Sequence, residues 1–255
     1  MAPLDERWEP FVSDPANAAV LTDFDGTLAP IVDDPDRAQP VAGISVVLDA
    51  LAARFGLVAV LSGRPVAFLQ RFLPSSVVLA GLYGLEVVRD GRRADHPSGG
   101  AWREVVEHVA TTSAARGPAG MRVEPKGLSL TLHYRGLPTL EAEVREWAAR
   151  EGRRSGLQVR SARMSVELHP PIAADKGTAL RELAAGCRAV CFIGDDVGDL
   201  PAFDALDDLA ADGTSTVRVG VRSDETPSEL LDRADLVVDS PDGAFALLQM
   251  LARSR

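Results

Sequence analysis

The sequence predicts an α/β fold built on a parallel sheet, with a second, smaller α/β unit inserted into it. Short apolar segments that end in small or acidic residues alternate with amphipathic stretches of helix length, the rhythm of a parallel sheet covered on both faces. Residues 90–170 change to runs of apolar/polar alternation, which suits an antiparallel sheet with helices on one side only. The charge changes over the same span. Residues 90–170 carry 13 Lys and Arg against 10 Asp and Glu, a balance of +3, so the rest of the 255-residue chain accounts for −13 within a net charge of −10.

In chain order, the first strand is expected over Ala19–Asp23, where an apolar run meets two aspartates. A helix over Val41–Arg54 leads to a strand over Leu57–Ser62. A helix that Pro65 can start, ending at Phe72, leads to a strand over Val77–Gly81. The inserted unit then reads as a helix from Trp102 to Ala115, the segment Arg122–Lys126, the alternating run Leu128–Arg135, a helix from Thr139 to Glu151, and the segments Leu157–Ser161 and Met164–His169. Its polar face is expected to be open, with Ser129, Thr131, His133 and Arg135 from one strand and Ser165, Glu167 and His169 from another. After the Pro170-Pro171 break come a helix over Lys176–Ala185, a strand over Ala189–Asp195 and a helix over Leu200–Leu206. A strand over Val217–Val221, a helix over Thr226–Arg233, a strand over Leu236–Val238 and a helix over Gly243–Ala252 complete the chain. Residues 1–89 with 171–255 therefore read as one discontinuous domain, and 90–170 as another.

Composition excludes several classes. With 46% apolar residues and a mean hydropathy of +0.02 the chain is globular, and Asp, Arg or Gly interrupts every apolar run before membrane-spanning length. The start, Met1 to Arg7, lacks the basic and apolar parts of a secretory signal, so a cytoplasmic location and no membrane partner are expected. The net charge of −10 argues against a nucleic-acid partner, which needs a basic face. Cys187 and Cys191 have no partners at metal-site spacing and read as reduced core residues, and the four histidines are too scattered for structural zinc. Any metal should be hard and oxygen-bound. A monomer or weak oligomer is expected.

The chemistry of a parallel sheet gathers at the carboxyl ends of its strands. There Asp23-Phe24-Asp25-Gly26-Thr27 puts two carboxylates one residue apart where the chain turns, one able to attack phosphorus and the other to handle protons, with a divalent cation to relieve their repulsion. An ordinary Asp-Gly turn has the same residues. Ser62-Gly63-Arg64-Pro65 offers a hydroxyl and backbone N–H groups to phosphoryl oxygens, or simply caps a helix. Lys176, at a helix start, can place a fixed positive charge on a transferring group, or lie on the surface. Asp195-Asp196-Val197-Gly198-Asp199 packs three carboxylates into five residues, which suits Mg²⁺; capping aspartates are the alternative, and they leave the first pair unexplained.

In this order, Asp-x-Asp-Gly-Thr, Ser-Gly-Arg, Lys and Gly-Asp-Asp-x-x-Asp resemble the signatures of the haloacid dehalogenase superfamily of phosphatases, over nearly the whole chain. That resemblance implies a Rossmann-like parallel-sheet core with an inserted α/β open-sheet cap. More than a hundred residues separate Ser62 from Lys176, so the cap lies between the second and third signatures. Asp23–Pro30, Leu61–Pro65, Val123–Lys126, His133–Arg135 and Val166–Pro170 with Asp175–Gly177 are similar to the trehalose-6-phosphate phosphatases. The resemblance implies hydrolysis of trehalose 6-phosphate to trehalose and phosphate through an aspartyl-phosphate, with Mg²⁺ as cofactor. It makes Asp23 the nucleophile and Asp25 the proton carrier, and it puts Ser62 and Lys176 on the phosphoryl oxygens. It assigns the metal to Asp23, the Asp25 carbonyl and Asp195, with Asp196 and Asp199 around it. Glu124, Lys126 and Glu167 would hold sugar hydroxyls, with Arg64 and Arg135 as further substrate-binding residues. Two segments depart from the family pattern: Gly81-Leu82-Tyr83-Gly84 stands for the usual Gly-x-His-Gly, and Gly198-Asp199-Leu200 for Thr-Asp-Glu. The rival readings are a phosphatase of another sugar phosphate or pseudo-disaccharide phosphate, and a non-catalytic sugar-phosphate-binding regulatory subunit.

Overall fold

A computed structural model describes residues 5–32, 34–162 and 164–254; Met1–Leu4, part of the N-terminal reading above, lie outside the described residues. The chain divides into two compact units, Met1–Ala94 with Ala174–Arg255, and Asp95–Ala173. In chain order the elements are α1 (Glu9–Ser13), β1 (Ala18–Thr22), α2 (Ile44–Ala52), β2 (Leu57–Leu61), α3 (Val66–Leu69), β3 (Val78–Gly81), β4 (Glu86–Arg89) and β5 (Arg92–Asp95). Next come α4 (Arg103–Arg116), β6 (Arg122–Pro125), β7 (Leu130–His133), α5 (Glu141–Ser155), β8 (Gln158–Ala162) and β9 (Ser165–His169). The chain ends with α6 (Lys176–Leu183), β10 (Ala189–Gly194), α7 (Leu200–Ala211), β11 (Ser215–Arg222), α8 (Ser228–Arg233), β12 (Leu236–Asp239) and α9 (Ser240–Arg253).

The first unit is built on a sheet in the order β12-β11-β10-β1-β2-β3-β4-β5, parallel from β12 to β3. Its central strands are apolar without alternation because both faces are covered. Val20, Val58, Val60, Cys191 and Ile193 pack with α1, α2 and α9, whereas Ala19, Leu21, Ala59, Leu61 and Phe192 pack with α6, α7 and α8. In α2 the buried Ile44, Val47, Leu48 and Leu51 recur at helical spacing and turn one stripe to the sheet. From β1 the chain proceeds outward to β2 and β3, and from β10 it proceeds the other way to β11 and β12. The carboxyl ends of β1 and β10 therefore flank the point where the winding reverses, which is where open α/β sheets bind ligands.

The hairpin β4–β5 is absent from the sequence expectation. Its Asp90-Gly91 turn has φ of 52° and 71°, the left-handed pair that a two-residue hairpin loop requires. Buried Glu86 on β4 accepts the Val66 N–H at 3.0 Å and an Arg93 N–H at 2.6 Å, so the hairpin anchors the start of α3 just behind Ser62-Gly63-Arg64. Helix α3 is shorter than expected: Pro65 serves as its cap, and after Leu69 the chain continues in turns, where the Phe72 and Leu73 N–H groups both bond the Leu69 carbonyl. Cys191 is buried, which pushes its thiol up to about 12, and Cys187 is half-buried; both are free.

The second unit is an antiparallel sheet, β6-β7-β9-β8. Its apolar face, with Leu130, Leu132, Val166 and Leu168, packs on Val106, Val109 and Ala110 of α4 and Val144 and Ala148 of α5. The register sets Glu124 opposite Thr131, Thr131 opposite Glu167 and Glu167 opposite Arg160, so one polar row crosses all four strands on the other face. This face is less open than the alternation suggests: Ser129, Thr131, Ser165, Glu167 and His169 are all buried. Among the described residues, no helix is long and apolar enough to cross a membrane.

Candidate active site

In the first unit β1 ends at Thr22 and β10 at Gly194, so Asp23 and Asp195 emerge from neighbouring parallel strands. Asp23, Asp195 and Asp199 bring one carboxylate oxygen each to within 4.8 Å of the others, and all three are buried. Gly26, at φ +82°, makes this approach possible, because a Cβ there would run into the Asp195 carboxylate. Thr27 Oγ1 donates to Asp195 Oδ1 at 3.1 Å. The sequence marked Thr27 as part of a motif and assigned it no partner.

Lys176 enters from the first turn of α6, whose start is fixed by Asp175 accepting the Thr178 N–H at 2.7 Å. Its ammonium lies 2.8 Å from Asp23 Oδ1 and 2.6 Å from Asp199 Oδ1, and it is 3% exposed, so a surface role is ruled out. The other Asp199 oxygen accepts the backbone N–H groups of Asp195 (2.8 Å) and Asp196 (3.1 Å), which ties the acidic loop to the lysine. Asp196 opens the short turn Val197–Asp199, and its carboxylate is not one of the buried trio.

Three buried carboxylates against one ammonium leave excess negative charge out of water. Burial, with Asp199 and Asp196 adding to it, pushes Asp195 up to about 8 despite Lys176 and Thr27. Burial likewise raises Asp23 well above the usual carboxylate range, against the pull of Lys176. Burial works against the charge of Lys176, but Asp199, Asp23 and Asp196 outweigh it and hold the ammonium well above its ordinary value. A divalent cation among these oxygens would remove the excess, and an all-carboxylate donor set suits a hard ion. The residues therefore fit a bound metal.

Asp25 is set apart from this buried group. Its carboxylate is about one-third exposed and takes a bidentate pair from Arg64, Nε to Oδ2 at 2.8 Å and a terminal N–H to Oδ1 at 2.7 Å. The guanidinium also lies 4.4 Å from the centre of the Phe68 ring, which fixes its plane. Ser62 is buried at the end of β2, and its Oγ accepts the Arg64 N–H at 3.1 Å. The Tyr83 N–H bonds the Ser62 carbonyl and the Leu82 N–H the Arg64 carbonyl. Leu82 and Tyr83 are both left-handed (φ 49° and 60°), a strained pair that holds this loop from behind. Asp25 and Arg64 thus meet through a pairing that the sequence reading did not contain.

The second unit collects Glu124, Lys126 and Glu167 on one sheet face. Ser129 Oγ donates to Glu167 Oε1 at 2.9 Å, Lys126 Nζ lies 3.9 Å from the same oxygen, and His133 Nε2 is 2.7 Å from Glu124 Oε2. Ser129 and His133 were legible as face residues from the alternation, but not as partners of the two glutamates. Arg135 lies beyond the end of β7 and is half-buried, outside the row that carries Glu124 and Glu167.

The sequence model of the trehalose-phosphatase family matches residues 21–237. A trehalose-phosphate phosphatase of Mycobacterium ulcerans is 37% identical over 223 residues, covering 81% of this chain and 54% of that protein. One of Mycobacterium avium is 35% identical over 246 residues, covering 92% of this chain and 62% of that protein. The chain thus spans between about half and three-fifths of these relatives. Among solved structures, a trehalose-6-phosphate phosphatase related protein superposes with a TM-score of 0.78 at 24% identity, covering 92% of this chain and 96% of the other. The C-terminal domain of the Candida albicans trehalose-6-phosphate phosphatase superposes with a TM-score of 0.76 at 21% identity, covering 99% and 98%. At those identities the two structures establish a shared fold. The family match includes Asp23, Lys176 and Asp195, whose side chains meet at the winding reversal of the sheet, and on that basis the chain belongs to the trehalose-phosphatase family.

Proposed function

We propose that this chain is a Mg²⁺-dependent phosphatase that hydrolyses trehalose 6-phosphate to trehalose and phosphate. The observation that carries the reading is the buried Asp23, held by Lys176 beside Asp195 and Asp199. Asp23 attacks phosphorus, forming the aspartyl-phosphate as the bond from phosphorus to the sugar oxygen breaks. Asp25 delivers its proton to that oxygen, then takes a proton from the water that attacks the aspartyl-phosphate, which frees phosphate and returns Asp23 to the carboxylate and Asp25 to the acid. The split of roles follows from environment: Asp23 is buried among charges, whereas Asp25 reaches solvent on one side. Mg²⁺, when bound, offsets the charge of the nucleophile and phosphate. Asp23, Asp195 and the Asp25 carbonyl would hold it; Asp196 and Asp199 belong to its surroundings. Both oxygens of Asp199 are already engaged, so its part is to hold Lys176 and the acidic loop in place.

Ser62 and Lys176 bind phosphoryl oxygens in this reading, and residues 90–170 act as the lid that supplies Glu124, Lys126 and Glu167 to the sugar. Arg135 is a further substrate contact of that lid. Two free cysteines, one deeply buried, agree with a reducing, cytoplasmic setting.

The test is phosphate release from a panel of mono- and disaccharide phosphates with Mg²⁺ and with chelator. Trehalose 6-phosphate is expected to exceed glucose 6-phosphate by at least about tenfold in kcat/KM, with release lost in chelator. Equal turnover of the two would remove the trehalose assignment and leave a phosphatase of another sugar; no release from any compound would favour the regulatory subunit.

Arg64, expected on the substrate, grips Asp25 in the resting chain and acts as a positioning residue. Arg64→Ala is expected to lower kcat by roughly 10–100-fold with little change in KM, and Arg64→Lys to fall between, because an ammonium cannot reproduce the two-pronged contact. A change in KM alone would return Arg64 to substrate binding.

A further inference from the structure

On the polar face of the second unit, the half-buried Glu124 and His133 and the buried Ser129 and Glu167 have partners, and two buried atoms among the described residues do not: Thr131 Oγ1 and His169 Nε2. Both residues are 4% exposed. Thr131 sits between Glu124 and Glu167 in the transverse row, and His169 follows Glu167 on the same face of β9, so the two orphans flank one glutamate. An unpartnered buried polar atom destabilises the fold, and a native protein that retains one does so where a ligand can supply the missing bond.

The chemistry of the imidazole restricts that ligand. His169 Nδ1 lies 2.8 Å from the Pro170 carbonyl oxygen, which can only accept, so Nδ1 carries the proton and Nε2 is a bare acceptor. Burial, with the charge of Arg160, holds this histidine below its usual range in spite of Glu167 and the Pro170 carbonyl, so the ring is neutral near pH 7. A bare Nε2 takes a hydroxyl proton and repels a phosphate oxygen. The Thr131 hydroxyl can donate or accept. The geometry points to Thr131 and His169 as two further specificity-determining residues, which bind hydroxyl groups of the sugar part of the substrate. The inference rests on the sugar-phosphatase reading above and deepens it.

Two variants test it. Thr131→Val keeps the shape and removes the hydroxyl, and His169→Phe keeps a ring and removes Nε2. The readout is the ratio of kcat/KM for the preferred sugar phosphate to kcat/KM for p-nitrophenyl phosphate, which has no sugar. Each variant is expected to lower that ratio about tenfold, the loss of one neutral hydrogen bond at the upper end of its range. Thr131→Val should also melt no lower than the parent, since it deletes an unpaired buried hydroxyl. His169→Gln, which returns an acceptor near Nε2, should recover part of the ratio. Equal losses on both substrates, or a lowered melting temperature for Thr131→Val, would mark the residues as structural and overturn the inference, as would unchanged ratios. If His169→Phe does not fold, Thr131→Val decides alone.

The parent enzyme separates the two readings. Preference for a sugar phosphate other than trehalose 6-phosphate retires the trehalose assignment, and the variants are then scored on that preferred compound. Absence of preference for any sugar phosphate over p-nitrophenyl phosphate overturns the inference and leaves the phosphatase. If the parent releases no phosphate at all, the ratio is read from calorimetric Kd values for trehalose 6-phosphate and inorganic phosphate, with the same outcomes.

Discussion

Asp23→Asn is expected to lower phosphate release by at least about 10³-fold, equivalent to roughly 4 kcal/mol of barrier. The amide has nearly the shape of the carboxylate but is not a nucleophile towards phosphorus, and it removes one oxygen anion from the candidate metal site. Folding should not suffer. Asp23 is buried beside Asp195 and Asp199, and burial with their charges already disfavours its ionised form, so a neutral side chain relieves repulsion even as it loses the contact with Lys176. The measurement pairs a phosphate-release assay with a thermal melt of the same preparation. An Asp23→Asn protein that melts like the parent and still turns over substrate would remove Asp23 from the nucleophile's role.

Lys176→Met is expected to lose activity and stability together. Lys176 is 3% exposed and its ammonium is held by Asp23 and Asp199, so its removal leaves carboxylates buried without their counter-charge. Breaking a buried pair in this way costs about 3–5 kcal/mol, which for a chain of this length lowers the melting temperature by roughly 10 °C. Mg²⁺ should recover part of the loss in the variant, because a cation among Asp23, Asp195 and Asp199 replaces some of the missing positive charge. Melting curves with Mg²⁺ and with chelator check this. A variant as stable as the parent in chelator would show that the lysine does not neutralise the site.

The first unit was readable because its signals are local. Three of its apolar runs stop abruptly at a carboxylate or a hydroxyl, Asp23, Ser62 and Asp195, and β1, β2 and β10 end just before these residues. The hairpin β4–β5 escaped because only its Asp90-Gly91 turn carries a signal; Arg92–Asp95 is exposed along its length and shows no apolar alternation. The polar face of the second unit was legible as alternation, but burial of Ser129, Thr131, Glu167 and His169 was not, since periodicity separates faces without saying what covers them. Arg64 and Asp25 are 39 residues apart, and no spacing rule links a guanidinium to a particular carboxylate across that distance.

By itself, the sequence determined where strands end and which residue types stand at those ends, because hydrophobic periodicity and turn chemistry act over a few neighbouring residues. Only the tertiary structure decided the pairings. With β10 beside β1, Asp195 arrives next to Asp23; with α6 starting at Asp175, Lys176 reaches both Asp23 and Asp199; and the turn of Arg64 onto Phe68 gives Asp25 its partner. These contacts depend on strand order and on the cost of burying charge. Coulomb interactions follow distance in space rather than separation along the chain.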